Sequence, residues 1–228
     1  MGATKIMIIR HAEKPDPYDG KTYCGVDATG DVAGKDGGEH LVTLGWERTG
    51  ALVTLFAPPW GPKAPTLATP NHLFASNPDP KDPEDPKDGA RSPDKDDSGP
   101  SQRPYETLTA LEATLNLKIH KHHKKGQYDD MVAAALACDA VVLIAWQHED
   151  IPLLSKDGKT PGISQCILTR TNTPSGKFNT IPASWPEGKP GAPRYDLVFV
   201  FDRPSGSGAI TGFTLFPQRL LAGDEATA

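Results

Sequence analysis

The sequence predicts a three-layer α/β/α sandwich on a mostly parallel central sheet, and three observations predict it. Short continuous apolar runs rich in β-branched residues recur along the chain, as strands covered on both faces require. Helical apolar spacing fills the intervals between several of them. Their alternation puts helices on the faces of one sheet. The chain has 228 residues, 37% of them hydrophobic, enough for one sizeable core, so residues 1–228 are read as a single domain.

The first strand is "KIMIIR", which stops at Arg10-His11. Residues 14–40, rich in Gly, Asp and Lys, are expected to form a loop. Thr43 is placed as the cap of a helix running through Leu44, Leu52 and Leu55. "HLFAS" is the next strand. After it, residues 77–102 form an acidic, proline-spaced insertion with too little apolar area to offset its ordering entropy, and a mobile solvated segment is expected. Pro104 suits the first turn of a second helix bearing Leu108, Leu111 and Leu115. A weaker helix covers Asp129 to Ala137, ahead of the strand-like runs "DAVVLIAW" and, later, "YDLVFVFD". "GAITGFTLFPQRLL" is read as an antiparallel edge strand. No internal repeat interrupts the scheme.

Composition excludes several functions. A net charge of -5 supplies no basic field for a nucleic acid. Cys24, Cys138 and Cys166 are odd in number and lack metal-site spacing, which disfavours a disulfide framework or a zinc site. No apolar stretch reaches a membrane span and no secretory leader pattern is present, so a cytoplasmic location without membrane association is expected.

Chemistry gathers at the expected strand ends, where open α/β sheets bind ligands. A neutral His11 is a nucleophile, and Arg10 beside it can hold a phosphoryl oxygen bidentately. Arg103 precedes Pro104 at a helix start, where a side-chain cation and free N–H groups would face one anion. "AVVLIAWQHED" carries His148 to a second strand end, with Glu149 and Asp150 following. The run "HKHHKK" is read as a solvated basic loop. Metal ligation by His120, His122 and His123, or attraction of a multiply phosphorylated substrate by Lys121, Lys124 and Lys125, are the alternatives. Trp146 is assigned to packing.

"IIRHAEKP" resembles the Arg-His-Gly/Ala-Glu signature of the histidine phosphatase superfamily, which includes phosphoglycerate mutases and acid phosphatases. "LVTLGWERTGAL" resembles its L-T-x-x-G-x-x-R/Q-A segment and "SQRPYET" its S-x-x-R-A-x-E/Q-T segment. "VVLIAWQH" is similar to its strand ending in a second histidine, in the same order along the chain. The tail, "WPEGKPGAPRYDLVFVF...FPQRLLAGD", is similar to that of a bacterial and fungal subgroup with a tryptophan two before that histidine, the place of Trp146.

The resemblance implies a phosphoglycerate mutase-like fold and a phosphatase acting on a small phosphorylated substrate. His11 would form a phosphohistidine, Arg10, Arg103 and His148 would bind the phosphoryl oxygens, and water would release phosphate. Nearby positive charge would keep His11 neutral. Glu13 would at most position an arginine. Glu149 matches the position of the phosphatase branch's acid, although that branch uses Asp, and Asp150 is the alternative donor. A mutase-type glutamate beyond the Arg103 helix is absent from the sequence there, which counts against mutase-type phosphoryl transfer. A decayed module that binds a phospho-ligand or phosphoprotein is the remaining alternative. No metal or cofactor is required.

Overall fold

A computed structural model describes residues 2–15, 17–18, 21–32, 37–61, 64–78, 101–174, 176–188 and 193–227. Strand β1, Ala3–Arg10, is followed by the two-residue strands β2, Pro17–Tyr18, and β3, Lys21–Thr22, which pair with each other. Then come α1 (Thr43–Phe56), β4 (His72–Ser76), α2 (Arg103–Leu115), β5 (Ile119–His123), α3 (Tyr128–Ala137) and β6 (Ala140–Trp146). Helix α4 (Ile163–Arg170) and strands β7 (Leu197–Asp202) and β8 (Gly212–Pro217) complete the order.

Six strands form a mixed sheet in the order β5-β4-β6-β1-β7-β8, flanked by helices. The pairs β5/β4, β4/β6 and β6/β1 are parallel, whereas β7 runs antiparallel to both β1 and β8. "YDLVFVFD" reads as a strand of a parallel sheet and proves antiparallel, because a run buried on both faces records depth in the sheet and not direction. The side chains of β1 alternate between two cores. Ile6 and Ile8 join Met131 and Val132 of α3 and Ile163 and Ile167 of α4. Met7 and Ile9 join Leu52 and Leu55 of α1 and Leu108 and Leu111 of α2. Each such buried side chain contributes roughly 1.5–3 kcal/mol.

Three local expectations are corrected. Thr43 lies inside α1, and Val42 is the cap residue without a side-chain cap bond. Tertiary bonds set that helix start instead: the Val42 N–H donates to Glu13 O at 3.1 Å, and the Leu41 N–H to Glu106 Oε2 at 3.0 Å. Leu44 is exposed, and the core face of α1 is Gly45, Arg48, Thr49, Leu52, Leu55 and Phe56. Gly45 is required by contact, since a Cβ there would stand 2.6 Å from the Glu13 carbonyl oxygen. "HKHHKK" is not a loop, because Ile119–His123 is an edge strand parallel to β4. Only Ile119 of that strand is buried, so no apolar pattern marks it.

Of the acidic insertion, residues 79–100 lie outside the described residues. Among the described residues, no helix is long and apolar enough to cross a membrane.

Candidate active site

Parallel pairing of β1 with β6 places Arg10 opposite Trp146, and the bond extends one residue further, with His11 N–H donating to Trp146 O at 3.0 Å. His11 and His148 therefore leave the sheet side by side at the carboxyl ends of adjacent strands. Their rings meet edge to face, with centroids 6.4 Å apart.

His11 is 3% exposed, and its Nδ1 lies 2.7 Å from Ala12 O. A carbonyl only accepts, so Nδ1 carries the hydrogen and the lone pair sits on Nε2. Burial, then the positive charges of Arg10 and Arg103, and finally His148, hold the imidazole pKa well below its ordinary value. His11 is thus neutral at neutral pH.

Arg10 is buried, with its guanidinium 3.8 Å from the centre of the Tyr195 ring and Nη1 donating to Arg194 O at 2.8 Å. The ring and the carbonyl fix its direction. Arg103 opens α2 and donates to Gly38 O. Thr107, one turn along, accepts from Ala12 N–H at 2.8 Å and donates to Arg103 O at 2.7 Å, stitching the helix start to the residue after His11. Glu106 beside it accepts from His40 Nδ1 at 2.5 Å and from the Leu41 N–H. The "RPYET" segment thus places its arginine through the next two polar side chains. Pro104 lies in the first turn, as its position in the sequence suggests.

The carboxylates divide by environment. Burial favours a protonated Glu149, but hydrogen bonding to His148 and Lys125 prevails and holds its pKa far below the usual carboxylate range. Lys125 Nζ is 2.8 Å from Oε1, and His148 Nδ1 is 3.0 Å from Oε2 without well-aligned hydrogen-bond geometry, so Lys125 is the firmer partner. Asp150 is buried, accepts from Ser155 Oγ at 2.7 Å, and is pushed up to about 6, chiefly by burial. His148 itself is lowered, burial and Arg10 outweighing Glu149. Glu13 does not reach toward Arg10. It receives Arg48 bidentately at 2.7–3.1 Å, and Arg48 also binds Asp224 and Gln218.

A cavity of about 550 Å³ opens beside the cluster, with Arg10, His148 and Glu149 at one end and Leu154, Trp185, Pro186 and Pro193 among its other walls. His11, Arg103 and Asp150 are not among its lining residues, although Ser155 is. Trp185, Tyr195 and Arg194 escaped the sequence reading. Trp185 and Arg194 lie in a proline-bearing stretch and Tyr195 at the start of an apolar run, and only the fold returns them to the ends of β1 and β6. Trp146 is fully buried in the core. Among the described residues no group of His, Cys, Asp or Glu could hold a metal ion, and His120 stacks on Phe74 with ring centroids 4.7 Å apart.

No family model, curated protein or solved structure matches the chain.

Proposed function

We propose that the protein is a phosphomonoesterase of the histidine phosphatase type, with a sandwich of the mutase-like kind, acting on a small phosphorylated substrate through His11. The observation that carries the reading is the state of His11: a buried neutral imidazole, hydrogen on Nδ1, lone pair on Nε2, set among Arg10, Arg103 and His148. Such a group is a nucleophile in a field that attracts a dianion. In the first step Nε2 forms a bond to phosphorus as the bond to the leaving oxygen breaks. Arg10, Arg103 and His148 take the charge on the equatorial oxygens. In the second step water attacks the phosphohistidine, His11 is regenerated and inorganic phosphate departs. A cytoplasmic phosphatase that needs no metal or cofactor is the corresponding cellular reading.

Trapping the intermediate tests this. Wild-type protein mixed with p-nitrophenyl phosphate and quenched in base should carry a base-stable, acid-labile phosphoryl group, and His11→Ala should lose both the label and the turnover while keeping its thermal midpoint. Turnover of His11→Ala at a tenth or more of wild type would remove His11 from the role.

One observation favours a second reading. The carboxylate beside the cluster, Glu149, is held ionised by Lys125 and cannot donate a proton in that state. A phospho-ligand-binding module would need the cations and no acid. Inorganic phosphate binding without turnover of any ester would select it.

A further inference from the structure

The cavity is larger than a phosphoryl group, and besides charged groups such as Arg10, Lys156, Glu187 and Arg194 it has apolar walls. Leu154, Ala183, Trp185, Pro186 and Pro193 line it with carbon. Trp185 is held as a fixed panel. Its indole stacks on Phe199 of β7 at 5.6 Å and 16°, and its Nε1–H donates to Arg194 O at 3.1 Å. Phe199 is itself braced by Phe213 of β8 at 5.8 Å. The rest of the indole lines the cavity and stands edge-on to His148, with ring centroids 6.1 Å apart. His148 thus neighbours both the nucleophile, at 6.4 Å, and the indole, at 6.1 Å. Arg10 and His148 line the same cavity as Trp185, so a phosphoryl group held by those two has the indole wall within the same space.

We infer that this wall receives an aromatic leaving group, so that the site is matched to aryl phosphomonoesters, with Trp185 as its specificity-determining residue. The inference rests on the phosphatase reading of the same site and names its substrate class. Shape and chemistry agree. A flat ring can stack on or meet edge-on a braced indole, and it loses little conformational freedom on binding. The carboxylates at the site supply the second argument. Glu149 is ion-paired to Lys125, Asp150 is turned onto Ser155 off the cavity wall, and Glu187 lies exposed at its rim. An alkoxide leaves badly without a proton from such a group, whereas a phenolate, whose conjugate acid has a pKa of about 10 as in tyrosine, leaves without one. Bond making and breaking balance as before. The P–O bond to the ring oxygen breaks as Nε2–P forms, and the departing phenolate takes its proton from water.

The test separates wall from chemistry by using ligands that cannot turn over. Calorimetric titration of wild type should give phenylphosphonate roughly tenfold tighter binding than methylphosphonate, the scale of one good aromatic contact plus its buried area. Trp185→Ala should abolish that preference and Trp185→Phe should retain most of it. Leu154 is exposed enough that Leu154→Ser will fold, and it should lose a smaller part, for the phenyl ligand only. In parallel, phenyl phosphate should be hydrolysed at least a hundredfold faster than ethyl phosphate. Equal affinity for the two phosphonates, or a phenyl preference untouched by Trp185→Ala and Leu154→Ser, overturns the inference even if turnover is found. A phenyl preference without turnover of either ester leaves the wall standing and overturns the phosphatase reading. Comparable rates on phenyl and ethyl phosphate overturn the argument from the carboxylates.

Discussion

Two charged clusters begin within three residues of each other at the end of β1, and they are built on opposite principles. Glu13 belongs to one. There Arg48 lies between the carboxylates of Glu13 and Asp224, all three largely buried, and Gln218 takes another of its N–H groups. The cation is matched by carboxylates, its pKa rises as Asp224 and Glu13 outweigh burial, and the cluster ties β1, α1 and the C-terminal segment together. Arg10 and His11 belong to the other. Here Arg10 and Arg103 are directed by backbone carbonyls, and a neutral histidine faces them. Matched buried charge holds a fold in place, while cations set around a neutral histidine attract an anion. The difference explains why Glu13, so close to His11 in sequence, has no part in the cavity.

The strongest test of that contrast is to remove the matched cation. Arg48→Ala leaves two carboxylates without their partner, and the expected loss in urea unfolding is about 3–5 kcal/mol. A loss below 1 kcal/mol would mean that water already solvates the cluster. Its pH dependence has a definite sign. The folded pKa of Asp224 is depressed below its ordinary value of 3.8, so this contribution is present above the unfolded value and is lost as pH falls through the folded one. Wild-type stability should therefore fall on acidification more steeply than that of Arg48→Ala.

Arg103→Ala probes the other cluster and should show the reverse pattern. Turnover of p-nitrophenyl phosphate is expected to fall roughly a hundred- to a thousandfold, the effect of removing one preorganised donor, with the unfolding midpoint little changed. A loss of stability comparable to that of Arg48→Ala would move Arg103 into the structural class.

The smallest effect sharpens the comparison at an intermediate case, a buried carboxyl that accepts from a hydroxyl and on which burial outweighs the lysines Lys125 and Lys156. Asp150 has a folded pKa pushed up to about 6, so its contribution to stability is complete below the unfolded value near 3.8 and is lost as pH rises through about 6. Asp150→Asn keeps an acceptor for Ser155 and removes the charge. It should stabilise the protein at pH 7–8 by up to about 2 kcal/mol, within the span set by its shift, and give no gain near pH 4. Equal effects at both pH values would show that Asp150 is ionised without cost.

Much of this architecture is legible in the sequence, and the exceptions share a cause. The runs that became β1, β4, β6 and β7 announce themselves because a strand buried on both faces must be apolar throughout. The helix starting at Arg103 is marked by Pro104, whose fixed φ suits a first turn. β5 and α4 were not legible, the first because an edge strand buries little, the second because eight residues hold too few turns for a period to emerge. Arg10, His11, Arg103 and His148 could each be picked out as a polar residue at the expected end of an apolar run or at a helix start. Local order along the chain is sufficient for that.

Pairing was decided only in three dimensions. Nothing local to "EKP" says that Glu13 binds Arg48 and Asp224, because those partners are separated from it by 35 and 211 positions in the chain. Nor does "HED" reveal that Glu149 is claimed by Lys125 while Asp150 turns to Ser155. A carboxylate's protonation depends on what stands within a few ångströms of it, and those neighbours come from other strands and loops. The sequence by itself determined which residues reach the end of the sheet; the tertiary structure decided which charges are matched there, and hence that Glu149, first in line as the acid, is held as a carboxylate.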